Sequence, residues 1–138
     1  MSRTALAFAI ACLASPALAA GDVAIGEKEF NKCKACHSIT AADGTAIVKG
    51  GKVGPNLFGV IGRSAGTFAD FKYGEALIAA GQKGLIWDEA QLSSYIQDPA
   101  AFLKTYLGDK GAKGKMVFKL AKKSDDVAAY LASLIAAP

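Results

Sequence analysis

The chain has 138 residues, of which 52% are hydrophobic and 20% charged, with 15 glycines and 4 prolines; one small globular domain fits that composition and a multi-domain enzyme does not. Its formal net charge of +4 favours acidic partner surfaces but falls short of the Lys and Arg density that nucleic-acid binding requires.

Residues 1–20 read as a cleaved secretory signal peptide. Arg3 supplies the positive end, Ala5 to Leu13 an apolar run too short to span a bilayer, and Ser15-Pro16-Ala17-Leu18-Ala19-Ala20 a small-residue exit. Cleavage after Ala19 fits the A-x-A rule and cleavage after Ala20 is nearly as good, so residues 21–138 are expected to form a single mature domain, exported to the periplasm. Cys12 leaves with the leader, because Ala9-Ile10-Ala11 lacks the leucine of a lipid-attachment motif. Cys33 and Cys36 remain, in an oxidising compartment.

Asp22 is a candidate N-cap, and Val23, Gly26, Phe30 and Cys33 follow at steps of three and four, which predicts a helix ending around Cys33 to His37. From there to Gly74 the chain is rich in Gly, Pro, Asn and small polar residues, including Asp43-Gly44, Gly50-Gly51 and Gly54-Pro55-Asn56, and reads as a long irregular stretch. Gly74 to Ala80 reads as a short helix stopped by Gly81. Asp88 with Gln91 predicts a capping box for a helix through Ile96, and Asp98-Pro99 a cap with proline at the first helical position. Ser124 opens the last helix, where Val127, Tyr130, Leu131, Leu134 and Ile135 share a face. No segment alternates apolar and polar residues as a strand would. The class is all-α, with about four or five short helices. Helices this short are not stable alone, and a long structureless run in a small domain implies an organising group other than the chain's own core.

Cys33-Lys34-Ala35-Cys36-His37 is a C-x-x-C-H run, the signature of c-type haem attachment. Two thiols three residues apart at a helix end can reach both vinyl groups on one porphyrin edge, and the next imidazole can face the iron. A plain disulfide or a thiol redox module with a coincidental histidine is the competing reading. A thioredoxin-like context needs a βαβ unit, and zinc needs a further ligand pair; the mature chain has neither. His37 is the only histidine in the sequence. Once Met1 is removed, Met116 is the only methionine, in a Gly-Lys-rich loop far along the chain. It is there as a reach-over second axial ligand or as a gap-filling core residue.

The motifs occur in a specific order: C-K-A-C-H at Cys33, G-P-N-L at Gly54, G-R at Gly62, F-K-Y at Phe71, Trp87, Y-I-Q-D-P at Tyr95, K-M-V-F at Lys115 and A-Y-L at Ala129. From Gly21 nearly to the end, the chain resembles class I cytochrome c of the large bacterial cytochrome c2 type. The resemblance implies short helices and long loops wrapped around one covalently bound haem, held by Cys33 and Cys36 with His37 and Met116 as iron ligands. It implies that Pro55 offers its carbonyl to His37, that Tyr73 and Trp87 donate to a buried haem propionate with Arg63 near the same charge, and that Tyr95 lies close to the Met116 sulfur. It also implies that Gly26 and Phe30 cross against Val127 and Tyr130. Two departures stand out. Gly114 replaces a threonine common in the family, and the segments from Ala41 to Lys52 and from Ala101 to Lys115 are long.

With both axial positions filled, the iron has no open site, so the resemblance implies a soluble one-electron carrier and no enzyme. The alternative, a haem peroxidase or ligand-binding haem protein, would want an open distal side with an acid-base group there. The implied partners are a cytochrome bc1 complex as donor and a photosynthetic reaction centre or terminal oxidase as acceptor, met through acidic docking surfaces. The mature chain is expected to be a monomer that neither inserts into a membrane nor binds nucleic acid. Lys32, Lys34, Lys52, Lys113, Lys115 and Lys119 flank the two ligand regions and are expected to ring the exposed haem edge, with Lys83 away from it.

Overall fold

The structure is a computed structural model that describes residues 21–134; the signal-peptide reading and Ile135 lie outside the described residues. Five helices occur among them: α1 (Val23–Glu29), α2 (Glu75–Gln82), α3 (Glu89–Gln97), α4 (Pro99–Leu107) and α5 (Ser124–Ser133). None is long and apolar enough to cross a membrane. The longest has 10 residues, below the roughly 12–15 at which an isolated helix holds in water, so packing must supply the stability.

The caps follow the sequence closely. Asp22 accepts from Ile25 N at 2.9 Å and opens α1, which tightens into a 3₁₀ turn over Phe30–Lys32 before the cysteines. Asp88 accepts from Gln91 N at 2.7 Å and Asp98 from Ala101 N at 3.0 Å, with Pro99 at the start of α4. Gly108, at φ 70°, takes the left-handed position that ends α4.

Two expectations are corrected. Gly81 does not stop α2, which continues to Gln82; its missing side chain instead admits the backbone of Ala65, which a Cβ would overlap. Ser124 begins α5 as expected, and its buried side chain, sharing a 3.0 Å hydrogen bond with Ser93 Oγ and accepting another from Gln97 Nε2 at 3.0 Å, ties α5 to α3. The stretch before Gly74 is not wholly irregular. Ile39–Thr40 (β1) pairs antiparallel with Ala46–Val48 (β2), and residues 62–65 run against 85–87 through Gly62 N to Trp87 O at 2.7 Å, Trp87 N to Arg63 O at 3.0 Å and Ala65 N to Leu85 O at 2.9 Å.

The core is built where α1, α3 and α5 meet, around the fully buried Phe30, Val127 and Leu131. Gly26 permits the α1–α5 crossing, because a Cβ there would overlap the Asp126 carbonyl and crowd Tyr130 Cβ. One turn on, the Phe30 and Tyr130 rings pack with centroids 5.8 Å apart. As expected from the resemblance, the first and last helices meet at these residues.

Candidate haem site

The helices and loops enclose an apolar cavity of about 300 Å³, at the lower end of the range for small-molecule sites. Cys33, Cys36 and His37 reach its wall at the end of the first helical segment. Cys33 is half-buried and Cys36 exposed, and neither is in a disulfide. Burial, with Glu29 nearby, pushes the Cys33 thiol up to about 11. Redox-active dithiols have depressed thiol pKa values, so this environment argues against a thiol redox module. Among the described residues no three His, Cys, Asp or Glu side chains gather as a zinc site needs.

His37 is buried, and its Nδ1 donates to the Pro55 carbonyl at 2.8 Å. With that proton on Nδ1, the neutral ring keeps its lone pair on Nε2. Desolvation lowers the imidazole pKa, opposed by the bond to Pro55, so the neutral form that a metal requires is favoured. The turn that brings Pro55 here depends on Gly54, whose N–H donates to Cys36 O at 2.8 Å and whose position has no space for a Cβ beside the imidazole. Asn56 fixes the next residues: its side chain accepts from Thr40 N and Phe58 N, each at 3.0 Å, and donates to Thr40 O at 2.8 Å. Sequence reasoning missed Asn56 as an organiser, although it stands inside the G-P-N-L motif.

On the remaining wall the backbone pairing of residues 62–65 with 85–87 sets Arg63 close to Trp87. The Arg63 guanidinium donates to Asn56 O at 3.1 Å and to Phe58 O, and lies 4.9 Å over the Phe68 ring. It is half-buried, which lowers its pKa, while the neighbouring Tyr73 hydroxyl opposes that shift. Taken alone it would read as a solvated surface charge; three loop groups in fact hold it. Tyr73 and the buried Trp87 and Tyr95 border the same cavity. Trp87 and Tyr95 pack at 5.1 Å, with Phe102 behind them at 6.0 and 5.7 Å. Burial raises the Tyr95 phenol to about 12, with Tyr73 adding to the shift, so it stays protonated and able to donate. Met116 also lines the cavity, partly buried, beside the 86% exposed Val117.

Every residue that the sequence nominated for the site therefore faces one cavity. The lysine ring divides. Lys32 and Lys115 border the mouth, but Lys32 is paired with Glu29 at 2.5 Å and Lys115 donates to Lys72 O at 2.7 Å. Lys119 is paired with Asp98 at 2.6 Å. Lys34, Lys52 and Lys113 are exposed and enter no ion pair among the described residues.

Two thiols and an imidazole in C-x-x-C-H spacing, at the wall of an apolar cavity inside a shell of short helices, define a c-type cytochrome. No protein-family model matches the chain. It is 58% identical over 135 residues to the cytochrome c2 of Rhodobacter capsulatus, covering 98% of each chain. It is 55% identical over 123 residues to the cytochrome c-550 of Paracoccus denitrificans, covering 87% of this chain and 79% of that one. The solved structure of the cytochrome c2 isolated from Rhodobacter capsulatus superimposes with a TM-score of 0.81 at 62% identity, covering 82% of this chain and 97% of that one. The chain belongs to the cytochrome c2 and c-550 family of class I c-type cytochromes. These are electron carriers and not enzymes, with one covalent c-type haem; the attaching thiols here are Cys33 and Cys36.

Proposed function

We propose that the mature chain, residues 21–138 after removal of the leader, is a periplasmic one-electron shuttle whose haem iron takes His37 and Met116 as its axial ligands. The observation that carries this reading is the His37 ring, fixed by Pro55 through Nδ1 with its Nε2 lone pair free, in the cavity that Met116 also lines. The bound haem supplies a reversible one-electron couple, which a thioether ligand poises higher than a second nitrogen would.

The chain's own residues keep that couple from becoming chemistry. The Pro55 carbonyl orients the imidazole and raises its basicity. Arg63, Tyr73 and Trp87 give a positive charge and two polar hydrogens to an otherwise apolar wall, a fit for buried propionate. Tyr95, held protonated, can donate toward the methionine sulfur. The lone histidine is used, so no second histidine is left to act as the acid-base group of the peroxidase alternative.

Val53 and Val117, 75% and 86% exposed, form an apolar rim at the cavity mouth, and Lys34, Lys52 and Lys113 supply nearby positive charge. That combination suits brief docking on acidic surfaces, by this reading those of a cytochrome bc1 complex and of a photosynthetic reaction centre or terminal oxidase.

Visible absorption of the purified protein tests the ligand set. A Soret band with a sulfur-to-iron charge-transfer band in the oxidised form is expected. Met116→Ala should lose the latter, bind small ligands and have a lower potential, with haem still attached by mass spectrometry; an unchanged spectrum would disprove Met116 ligation.

A further inference from the structure

The carbonyl that orients His37 belongs to Pro55, a residue with no N–H of its own by which to be tied down. That carbonyl shares a rigid peptide plane with the nitrogen and Cα of Asn56, so its direction is set by where Asn56 is held. The half-buried Asn56 is held from several sides. Its Oδ1 accepts from Thr40 N and from Phe58 N, each at 3.0 Å, and its Nδ2 donates to Thr40 O at 2.8 Å. One side chain therefore meets both backbone groups of Thr40, the last residue of β1, as the peptide of a neighbouring strand would. Beside it, Leu57 N donates to Ser38 O at 3.1 Å and Arg63 Nη1 donates to Asn56 O at 3.1 Å. Only a carboxamide serves at this point: a carboxylate has no proton to donate, and a serine hydroxyl is too short to span a backbone residue of another segment.

We propose that Asn56 is a positioning residue: by fastening the Pro55 peptide plane to β1, it holds the Pro55 carbonyl on His37 Nδ1 and so sets the basicity of the imidazole and the potential of the haem. The β1–β2 hairpin, whose strands do not border the cavity, thereby takes part in the redox couple. The inference rests on His37 being an axial ligand and names what keeps that ligand's outer hydrogen bond made.

Proton NMR of the reduced holoprotein follows His37 Nδ1–H, whose exchange with solvent reports how often the Pro55 carbonyl lets go. In Asn56→Ala that proton should exchange roughly tenfold faster than in the parent, as loss of both bonds to Thr40 implies. The reduction potential should rise, because a less basic imidazole stabilises the oxidised iron less. Asn56→Ser keeps an oxygen able to accept from Phe58 N in a local turn but cannot reach across to Thr40. It should shift both readouts in the same direction as the alanine variant, and it decides the matter if the alanine variant fails to load haem. Gly26→Ala, at the α1–α5 crossing, is the control for a general loss of stability and should leave exchange and potential at the parent's values. Parent-like exchange and potential in the serine variant would overturn the proposal, as would a Gly26→Ala variant shifted as far as the Asn56 variants. Failure of the ligand assignment appears differently: the His37 ring protons of the reduced parent would then lack the large upfield shift that the porphyrin ring current gives an axial ligand.

Discussion

At the scale of single residues, the site depends as much on side chains that are missing as on those that touch the cavity. Gly54 lies against the flat of the His37 ring while its own N–H anchors the turn to Cys36. Gly54→Ala should therefore displace the imidazole and break its bond to Pro55, costing about 1–3 kcal/mol in the manner of overpacked sites. Urea unfolding of the holoprotein, with the yield of haem-loaded protein beside it, measures this; a midpoint equal to the parent's would show that the ring can move aside freely. The proposed ligand residues were nominated from the sequence because C-x-x-C-H is a local pattern tied to one chemistry, and because His37 and Met116 are the only histidine and methionine of the expected mature chain. Arg63 was not. Its partners are the backbone carbonyls of Asn56 and Phe58, and a bond to a carbonyl leaves no pattern in residue types. Only the resemblance pointed to it.

At the scale of elements, caps were the most readable feature, since Asp22, Asp88 and Asp98 act within three residues of themselves. Gly81 was misread because it is used by a distant partner, the backbone of Ala65, and the tie of Ser124 to Ser93 and Gln97 left no local signal for the same reason. The hairpin over residues 39–48 escaped notice because two- and three-residue strands are too short to show a period. The α1–α5 crossing gives the firmest stability prediction. Gly26→Ala sets a methyl group into the Asp126 carbonyl and against Tyr130 Cβ, and should lower stability by about 1–3 kcal/mol without changing the denaturant slope. Full retention of stability would mean that the two helices can separate without loss. Asp98 gives a pH dependence. The bonds from Lys119 and from the first turn of α4 hold its carboxyl below the ordinary value, so its contribution is present above the unfolded pKa and lost as pH falls through the folded one. Asp98→Asn keeps the cap but not the charge. Its thermal midpoint should lie below the parent's near neutrality, and the gap should close below about pH 4; a gap independent of pH would assign the effect to something other than ionisation.

At the scale of the whole molecule, the excess of positive charge is small, so where each lysine spends its ammonium group matters more than the total. Lys32, Lys115 and Lys119 are engaged with Glu29, Lys72 O and Asp98, and Lys83 donates to Tyr106 O at 2.9 Å and takes no part in the cavity wall. Lys34 sits within the attachment motif, and Lys113 lines the groove that shares Met116 with the haem cavity; both are exposed and carry the field a partner would meet. Electron transfer with a cytochrome bc1 complex should accordingly be fast at low ionic strength and slow as salt screens charges beyond about 8–10 Å. Lys34→Glu and Lys113→Glu should each reduce the second-order rate several-fold at low salt, and Lys83→Glu much less, with the absorption spectrum unchanged in all three. Stopped-flow rates across a salt series check this. Equal slowing by the three substitutions would mean that only total charge counts, and a rate indifferent to salt would remove electrostatic steering from the encounter. In that case the exposed apolar rim of Val53 and Val117 would have to carry recognition alone, and substituting those two valines by serine would then slow the reaction at every ionic strength.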